Sequence, residues 1–174
     1  DLIMSENILS LFQDFLPAKV LKNENPAEYF NVDGITPHLI VTPENIEQIS
    51  TVLQIATKNN LSVVPWGGGT KINIGNYPAK LDIVLCMSEM DKIIEMHPAD
   101  MTVQVQAGTK MASIKRSLIK EGQLLPLTSP LESRATIGGT VSANVSGYHN
   151  LIYGTSRDLV IGTKFVQANG TVAK

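Results

Sequence analysis

The stretch Leu61-Ser62-Val63-Val64-Pro65-Trp66-Gly67-Gly68-Gly69-Thr70-Lys71 runs an apolar segment directly into three consecutive glycines. The segment Leu61 to Val64 reads as a strand bounded by the breaker pair Asn59-Asn60. Upstream, Leu39-Ile40-Val41 is a second short apolar strand. Between the two, Thr42 is placed to cap a helix, with Pro43 at its first position, where a missing N–H costs nothing. Ile46, Ile49, Leu53 and Ala56 give that helix a buried face. Strand, helix and strand in this order form a βαβ unit, with parallel strands and a right-handed crossover.

Reading further outward, Ser5 is placed to cap an amphipathic helix over residues 6–16, with Ile8, Leu11, Phe12, Phe15 and Leu16 inward and Pro17 at its end. Residues 22–37 read as loop. Beyond the glycine run, Ile83 to Cys86 is a third strand. Ile93–Met96 and Met101–Ala107 form a hairpin around Pro98-Ala99-Asp100, with Met101, Val103, Val105 and Ala107 on one face. A helix opens at Thr109, buries Met111, Ile114 and Leu118, and stops at Gly122. Residues 124–136 read as an extended loop. Lys164 to Ala168 is a last strand, and Asn169-Gly170 is a hairpin turn.

The composition excludes several classes. With 174 residues, 43% of them apolar, the chain builds about one domain on a prior of roughly 150 residues each. Fourteen basic against sixteen acidic residues give a net charge of −2, which supplies no field for a nucleic acid or other polyanion. No apolar run approaches the ~20 residues of a membrane span, and no segment resembles a secretory signal. A single cysteine, Cys86, rules out an internal disulfide or a cysteine-based zinc cluster and fits a reducing compartment. His38, His97 and His149 are scattered, so no metal site is expected.

Eight of the thirteen glycines fall in two clusters, Gly67, Gly68, Gly69 and Gly75, and Gly138, Gly139, Gly147 and Gly154. Glycines in series let several backbone N–H groups converge on an anion, so a chain of net negative charge can hold a diphosphate without a basic patch. The alternative for Gly67–Gly69 is a plain surface turn. The second cluster, from Thr136-Ile137-Gly138-Gly139, either opens a short helix facing an anion or packs closely against another backbone. Position 72 is Ile, so the dinucleotide fingerprint is not met, and no P-loop or hydrolase elbow is present.

Taken in order, Val41-Thr42-Pro43-Glu44, Pro65-Trp66-Gly67-Gly68-Gly69-Thr70, Val103 to Gly108, Thr136 to Gly139, Ala143-Asn144, Gly147, Tyr153-Gly154, Arg157-Asp158 and Ala168-Asn169-Gly170 resemble the FAD-binding domain of the FAD-linked oxidases, the vanillyl-alcohol oxidase and p-cresol methylhydroxylase type. The resemblance covers residues 39–174. Within the family, the segment from Asn144 to Gly162 is similar to the flavin subunits of bacterial glycolate oxidase, the shorter of the two in particular.

The resemblance implies an α+β fold: a small parallel sheet with helices over 36–88 and a mostly antiparallel sheet with helices over 89–174, preceded by a helix and loop over 1–35. FAD, held noncovalently, would lie between the two subdomains. Trp66, Gly67, Gly68, Gly69 and Thr70 would wrap its diphosphate. Thr136, Gly138 and Gly139 would hold the diphosphate and flavin side. Pro126, Ser129 and Ser142 would approach the flavin or ribityl chain, Gly147 belongs to the same second cluster, and Ile161 would lie nearer the adenine. Two departures stand out: many members carry Arg where Trp66 stands, and covalently flavinylated members often carry His shortly after the first glycine loop, where this chain has Thr70-Lys71-Ile72.

The implied activity is oxidation of a small 2-hydroxy acid such as glycolate or D-lactate by a longer protein, with electrons passing to a quinone or to other subunits of a glycolate-oxidase-like complex. The segment then reads as a fragment that stops before a substrate or cap domain. It is expected to be inactive alone, and no catalytic residue can be assigned. A cytoplasmic location follows, with attachment to the inner membrane face only through partner subunits. The alternative is a non-catalytic flavin or electron-relay subunit. Structural roles compete at single residues: Trp66 as a packed wall, Cys86 as inert core, Asp158 as a cap, His149 as a surface histidine.

Overall fold

A computed structural model describes residues 2–22, 29–145 and 147–174. The chain divides into two units that are not contiguous in sequence. One contains residues up to Trp66, then Ile72–Glu89 and Thr163–Lys174; the other contains Gly67–Lys71 and Met90–Gly162. The segments expected from the sequence, 1–35, 36–88 and 89–174, run in single stretches instead. The first glycine run leaves one unit for the other, and the last twelve residues return.

The first unit is built on a four-stranded sheet. Strands β1 (Leu21–Lys22), β2 (Leu39–Val41), β3 (Val63–Trp66) and β4 (Ile83–Cys86) lie in the order β1-β2-β4-β3. β4 pairs in parallel with both β2 and β3, while β1 adds an antiparallel edge. The expected βαβ unit is therefore present with its strands parallel but not adjacent, because β4 enters between them.

Both faces of the central strands are covered. Leu39, Val41, Ile83 and Leu85 pack with Ile8 and Phe12 of helix α1 (Leu2–Gln13), with Leu16 just past it, and with Val52 and Ala56 of helix α2 (Ile46–Lys58). Ile40, Val84, Cys86 and Trp66 face the other way, with Val32 and Leu81. Two-sided burial explains why Leu-Ile-Val and Ile-Val-Leu-Cys are unbroken apolar runs rather than alternating ones.

Two caps move relative to the expectation. Helix α1 begins at Leu2, so Ser5 lies inside it, and α1 closes at Gln13, before Pro17. Helix α2 is capped by Asn45, whose Oδ1 accepts the Gln48 N–H at 2.9 Å. Thr42 is held by the sheet instead, since its N–H donates to the Val20 carbonyl at 2.9 Å and its hydroxyl to the same oxygen at 3.3 Å.

A buried carboxylate ties the amino ends of the three parallel strands. Asp82 Oδ2 accepts the Ser62 N–H at 2.6 Å, the Ser62 hydroxyl at 2.9 Å and Lys80 Nζ at 3.0 Å. The Asp82 carbonyl accepts the N–H groups of His38 and Leu39, both at 3.0 Å. Burial alone pushes this carboxyl upward, but the Ser62 N–H, Lys80 and the Ser62 hydroxyl outweigh it, and its pKa lies below the ordinary value.

The last hairpin, β7 (Phe165–Val166) with β8 (Val172–Ala173), belongs to this first unit. Ser50 Oγ donates to the Gly170 carbonyl at 2.6 Å and Thr57 Oγ1 to that of Ala168 at 2.7 Å, so the turn at Asn169-Gly170 is docked on α2.

The second unit opens with the antiparallel pair β5 (Ile93–His97) and β6 (Thr102–Val105). Met101, expected on the inward face, sits at the turn in a left-handed conformation and is 83% exposed. Among the described residues this pair is the unit's whole sheet. Four helices follow: α3 (Met111–Lys120), α4 (Ile137–Ser142), α5 (Asn150–Tyr153) and α6 (Ser156–Leu159). Met111, Ile114 and Leu118 are buried as their spacing predicts, and Gly122 takes a left-handed φ of +69° just past α3. The chain has the α+β fold expected. Among the described residues no helix is long and apolar enough to cross a membrane.

Candidate cofactor site

The run Gly67–Lys71 follows β3 and packs within the second unit against the segment 134–136. A Cβ placed on Gly68 would fall 1.9 Å from the Arg134 carbonyl oxygen, and one on Gly67 would fall 2.3 Å from Thr136 Oγ1. Gly69 differs, since its φ is +66°. The three glycines thus serve two needs: the first two let backbone meet backbone, and the third turns the chain. Among the described residues, no acceptor takes the backbone N–H of Gly67, Gly68, Gly69, Thr70 or Lys71. Five successive donors on a half-buried loop, none of them taken by a described residue, are a donor set that can serve an anion nest.

The second glycine pair does a different job. Thr136 caps α4, its Oγ1 accepting the Gly139 N–H at 3.3 Å, and Thr140 Oγ1 donates to the Thr136 carbonyl at 2.9 Å. The Ile137 N–H donates to the Thr109 carbonyl and the Gly138 N–H to that of Ala107, both at 2.9 Å. Gly138 is glycine because a Cβ there would lie 2.8 Å from both the Cβ and the oxygen of Ala107. Of the two readings open at this pair, close backbone packing is the one the geometry supports. The first N–H groups of α4 are already taken, and the loop supports Gly67 and Gly68 from below.

The other sequence-derived positions scatter. Trp66 is buried among Tyr29 and Phe30, with a ring-centroid separation of 5.1 Å from Phe30, so its indole is a wall of the first unit's core. Cys86 is likewise buried core. Gly147 packs on the 126–129 loop, where a Cβ would fall 2.5 Å from Thr128 Cβ. In that loop Ser129 is buried and Pro126 half-buried. Next to it, His149 stands 3.5 Å from Thr128 Oγ1 through Nδ1 and lies between the rings of Tyr148 and Tyr153. Ser142, the last residue of α4, is exposed, and Ile161 is 85% exposed in the stretch after α6. Neither is drawn into the glycine contacts.

Asp158 is the cap it was weighed as. The Thr155 N–H and hydroxyl reach its Oδ2 at 2.7 and 2.8 Å, and they hold its carboxyl below the ordinary pKa. Among the described residues no group of three or more His, Cys, Asp or Glu is placed to hold a metal ion.

Ala107, Thr109, Thr128 and Arg134 are the positions sequence reading missed. Each is the partner of a glycine or of α4. The small residues around Gly108 were a trace of this, but no spacing rule says which backbone a glycine will meet.

Comparison with known proteins bears on the family and the fold. Residues 37–174 match a family described as an FAD binding domain. The glycolate oxidase subunit GlcD of Bacillus subtilis is 32% identical over 138 residues, which cover 79% of this chain and 29% of that protein. The D-2-hydroxyglutarate dehydrogenase of Xanthomonas citri pv. viticola is 31% identical over 170 residues, covering 94% of this chain and 36% of the relative. The fold is also that of p-cresol methylhydroxylase, whose substrate-bound structure superposes with a TM-score of 0.79 at 20% identity over 98% of this chain and 35% of its own. The chain spans about a third of the length of the curated relatives it matches.

Proposed function

Because the chain belongs to the FAD-binding-domain family, we propose that Gly67–Lys71 is the cradle for the FAD diphosphate in a flavin-linked 2-hydroxy-acid oxidoreductase. The observation that carries this reading is the row of five backbone donors for which no described residue is the acceptor. An anion is the partner such a row suits, and the chain's net charge of −2 makes a backbone nest the means to bind one. Thr136, Gly138 and Gly139 act by supporting the loop, and Lys71 adds one positive charge beside it. The rest of the cofactor is assigned to the other positions read from the sequence: Pro126, Ser129, Ser142 and Gly147 toward the flavin or ribityl chain, and Ile161 toward the adenine. Thr70-Lys71-Ile72 offers no His for a covalent link at that place, and the attachment proposed is noncovalent. FAD, when bound, supplies the acceptor for a hydride and passes electrons onward.

The substrate class rests on the relatives, whose names specify glycolate and D-2-hydroxyglutarate. A small 2-hydroxy acid is therefore the proposed reductant, with partner subunits or a quinone as acceptor. The proposed location is the cytoplasm, with any membrane attachment made through partner subunits. Two measurements test the reading. Titration of the 174-residue chain with FAD should give a bound-flavin spectrum with a quenched, red-shifted band. The longer protein that contains this segment should then show bleaching of bound flavin by glycolate, D-lactate or D-2-hydroxyglutarate under anaerobic conditions. Flavin binding with no bleaching by any of the three would favour an electron-relay subunit. No flavin binding would remove the proposal.

A further inference from the structure

The floor under Gly67 and Gly68 is the strap Leu131–Thr136, and the strap is held by the first turn of α3. Helix α3 has no side-chain cap at Lys110, so its first N–H groups need other acceptors. The strap supplies them: the Met111 N–H donates to the Ala135 carbonyl at 2.9 Å and the Ala112 N–H to the Glu132 carbonyl at 3.1 Å. The strap begins with Leu131 at a φ of +56°, a conformation a leucine keeps only when its surroundings impose it. The Arg134 and Ala135 N–H groups both close on the Leu131 carbonyl at 2.8 Å. One side-chain contact joins the same two elements. Lys115 Nζ, one turn along α3, pairs with the Glu132 carboxylate, and both side chains are largely covered.

We propose that the Lys115–Glu132 ion pair is a positioning pair for the cofactor cradle. It fixes the strap on α3, and so sets where the Arg134 carbonyl and Thr136 meet the glycine loop. The inference rests on the cradle reading. Neither the Lys115 nor the Glu132 side chain bonds to the described loop residues; they act through the strap. Losing either charge leaves the backbone bonds in place but frees the strap to shift, and the glycine loop that rests on it shifts too.

The experiment is an equilibrium FAD titration of the 174-residue chain at a temperature where circular dichroism shows every variant folded. The variants are Glu132→Gln, Lys115→Gln, the swapped pair Lys115→Glu with Glu132→Lys, and Gly68→Ala. The single charge variants should bind FAD about fivefold more weakly, the scale of one partly covered ion pair. The swapped pair should recover most of that loss, and Gly68→Ala should bind FAD about a hundredfold more weakly or worse. Wild-type affinity in both single variants, with Gly68→Ala still defective, overturns the positioning role and leaves the cradle standing. Weakened single variants that the swap does not rescue also overturn it, because the loss then comes from packing. Wild-type affinity in Gly68→Ala overturns the cradle and the pair together.

Discussion

Replacing Gly68 with alanine adds one methyl group at a place with no room. The new Cβ would lie 1.9 Å from the Arg134 oxygen, 2.6 Å from its carbonyl carbon and 3.2 Å from the Ala135 nitrogen. Carbon and oxygen make ordinary contact at roughly 3.3 Å or more, so the two backbones must part by about 1 Å or more. The strap resists, because its Ala135 carbonyl is bonded to Met111 at 2.9 Å and its Ala135 N–H to Leu131 at 2.8 Å. The glycine loop must therefore move. Overpacking of this kind costs about 1–3 kcal/mol, which at this chain length lowers the melting temperature by roughly 2–4 °C per kcal/mol. The effect on binding is larger. A displacement of about 1 Å spoils at least two hydrogen bonds to a charged oxygen, each worth about 1.5–3 kcal/mol, so FAD affinity should fall by about two orders of magnitude or more. Fluorescence titration with FAD reads the affinity, and a thermal melt without FAD reads the fold. Gly162→Ala is the control, since nothing lies within 4 Å of a Cβ there. FAD binding within about twofold of the parent, with an unchanged melt, would refute the packing argument and the cradle built on it.

Three further outcomes follow from the same geometry. Asp82→Asn should destabilise the first unit by about 1–3 kcal/mol, because a buried acceptor of Ser62 and Lys80 loses its charge. The Asp82 pKa is lowered on folding, so its contribution is complete above the unfolded carboxylate range and is lost as pH falls through the lower folded value. Thermal melts from neutral pH downward should show the gap between parent and variant closing at acid pH, and a constant gap would contradict the assignment. Gly170→Ala should loosen the final hairpin, since its Cβ would sit 2.4 Å from Gln54 Cγ and 2.7 Å from the Ser50 oxygen at a φ of +85°; faster hydrogen exchange at Gly170 and Gln167, with α2 largely unaffected, is the expected signature. Thr136→Val keeps the side-chain volume but removes the cap on Gly139, so the melting temperature should fall by the equivalent of about 1 kcal/mol.

Much of the fold is legible from local pattern. Leu39–Val41 and Ile83–Cys86 are strands because short β-branched and apolar runs between breakers have little alternative. Met111, Ile114 and Leu118 are buried because their spacing puts them on one helical face. Gly122 ends α3 because only glycine enters the left-handed region freely. The cap of α2 was not legible in the same way. Thr42 and Asn45 are both good caps, and the choice was made by the Val20 carbonyl, which claims Thr42 from the turn just before β1, 22 residues upstream. The position of β4 between β2 and β3 was hidden for a related reason: strand order is decided by which apolar faces meet, and no local signal encodes it.

The amino-acid sequence by itself determined that two glycine clusters exist, that a strand feeds the first, and that the chain resembles a flavin-binding family. It could not say which cluster keeps its backbone donors available. That was decided by tertiary contacts. Ala107 and Thr109 take the N–H groups of Gly138 and Ile137, while no described residue takes those of Gly67–Lys71. The physical reason is that a backbone donor looks the same in every residue but proline. What distinguishes one N–H from another is the acceptor that folding brings beside it.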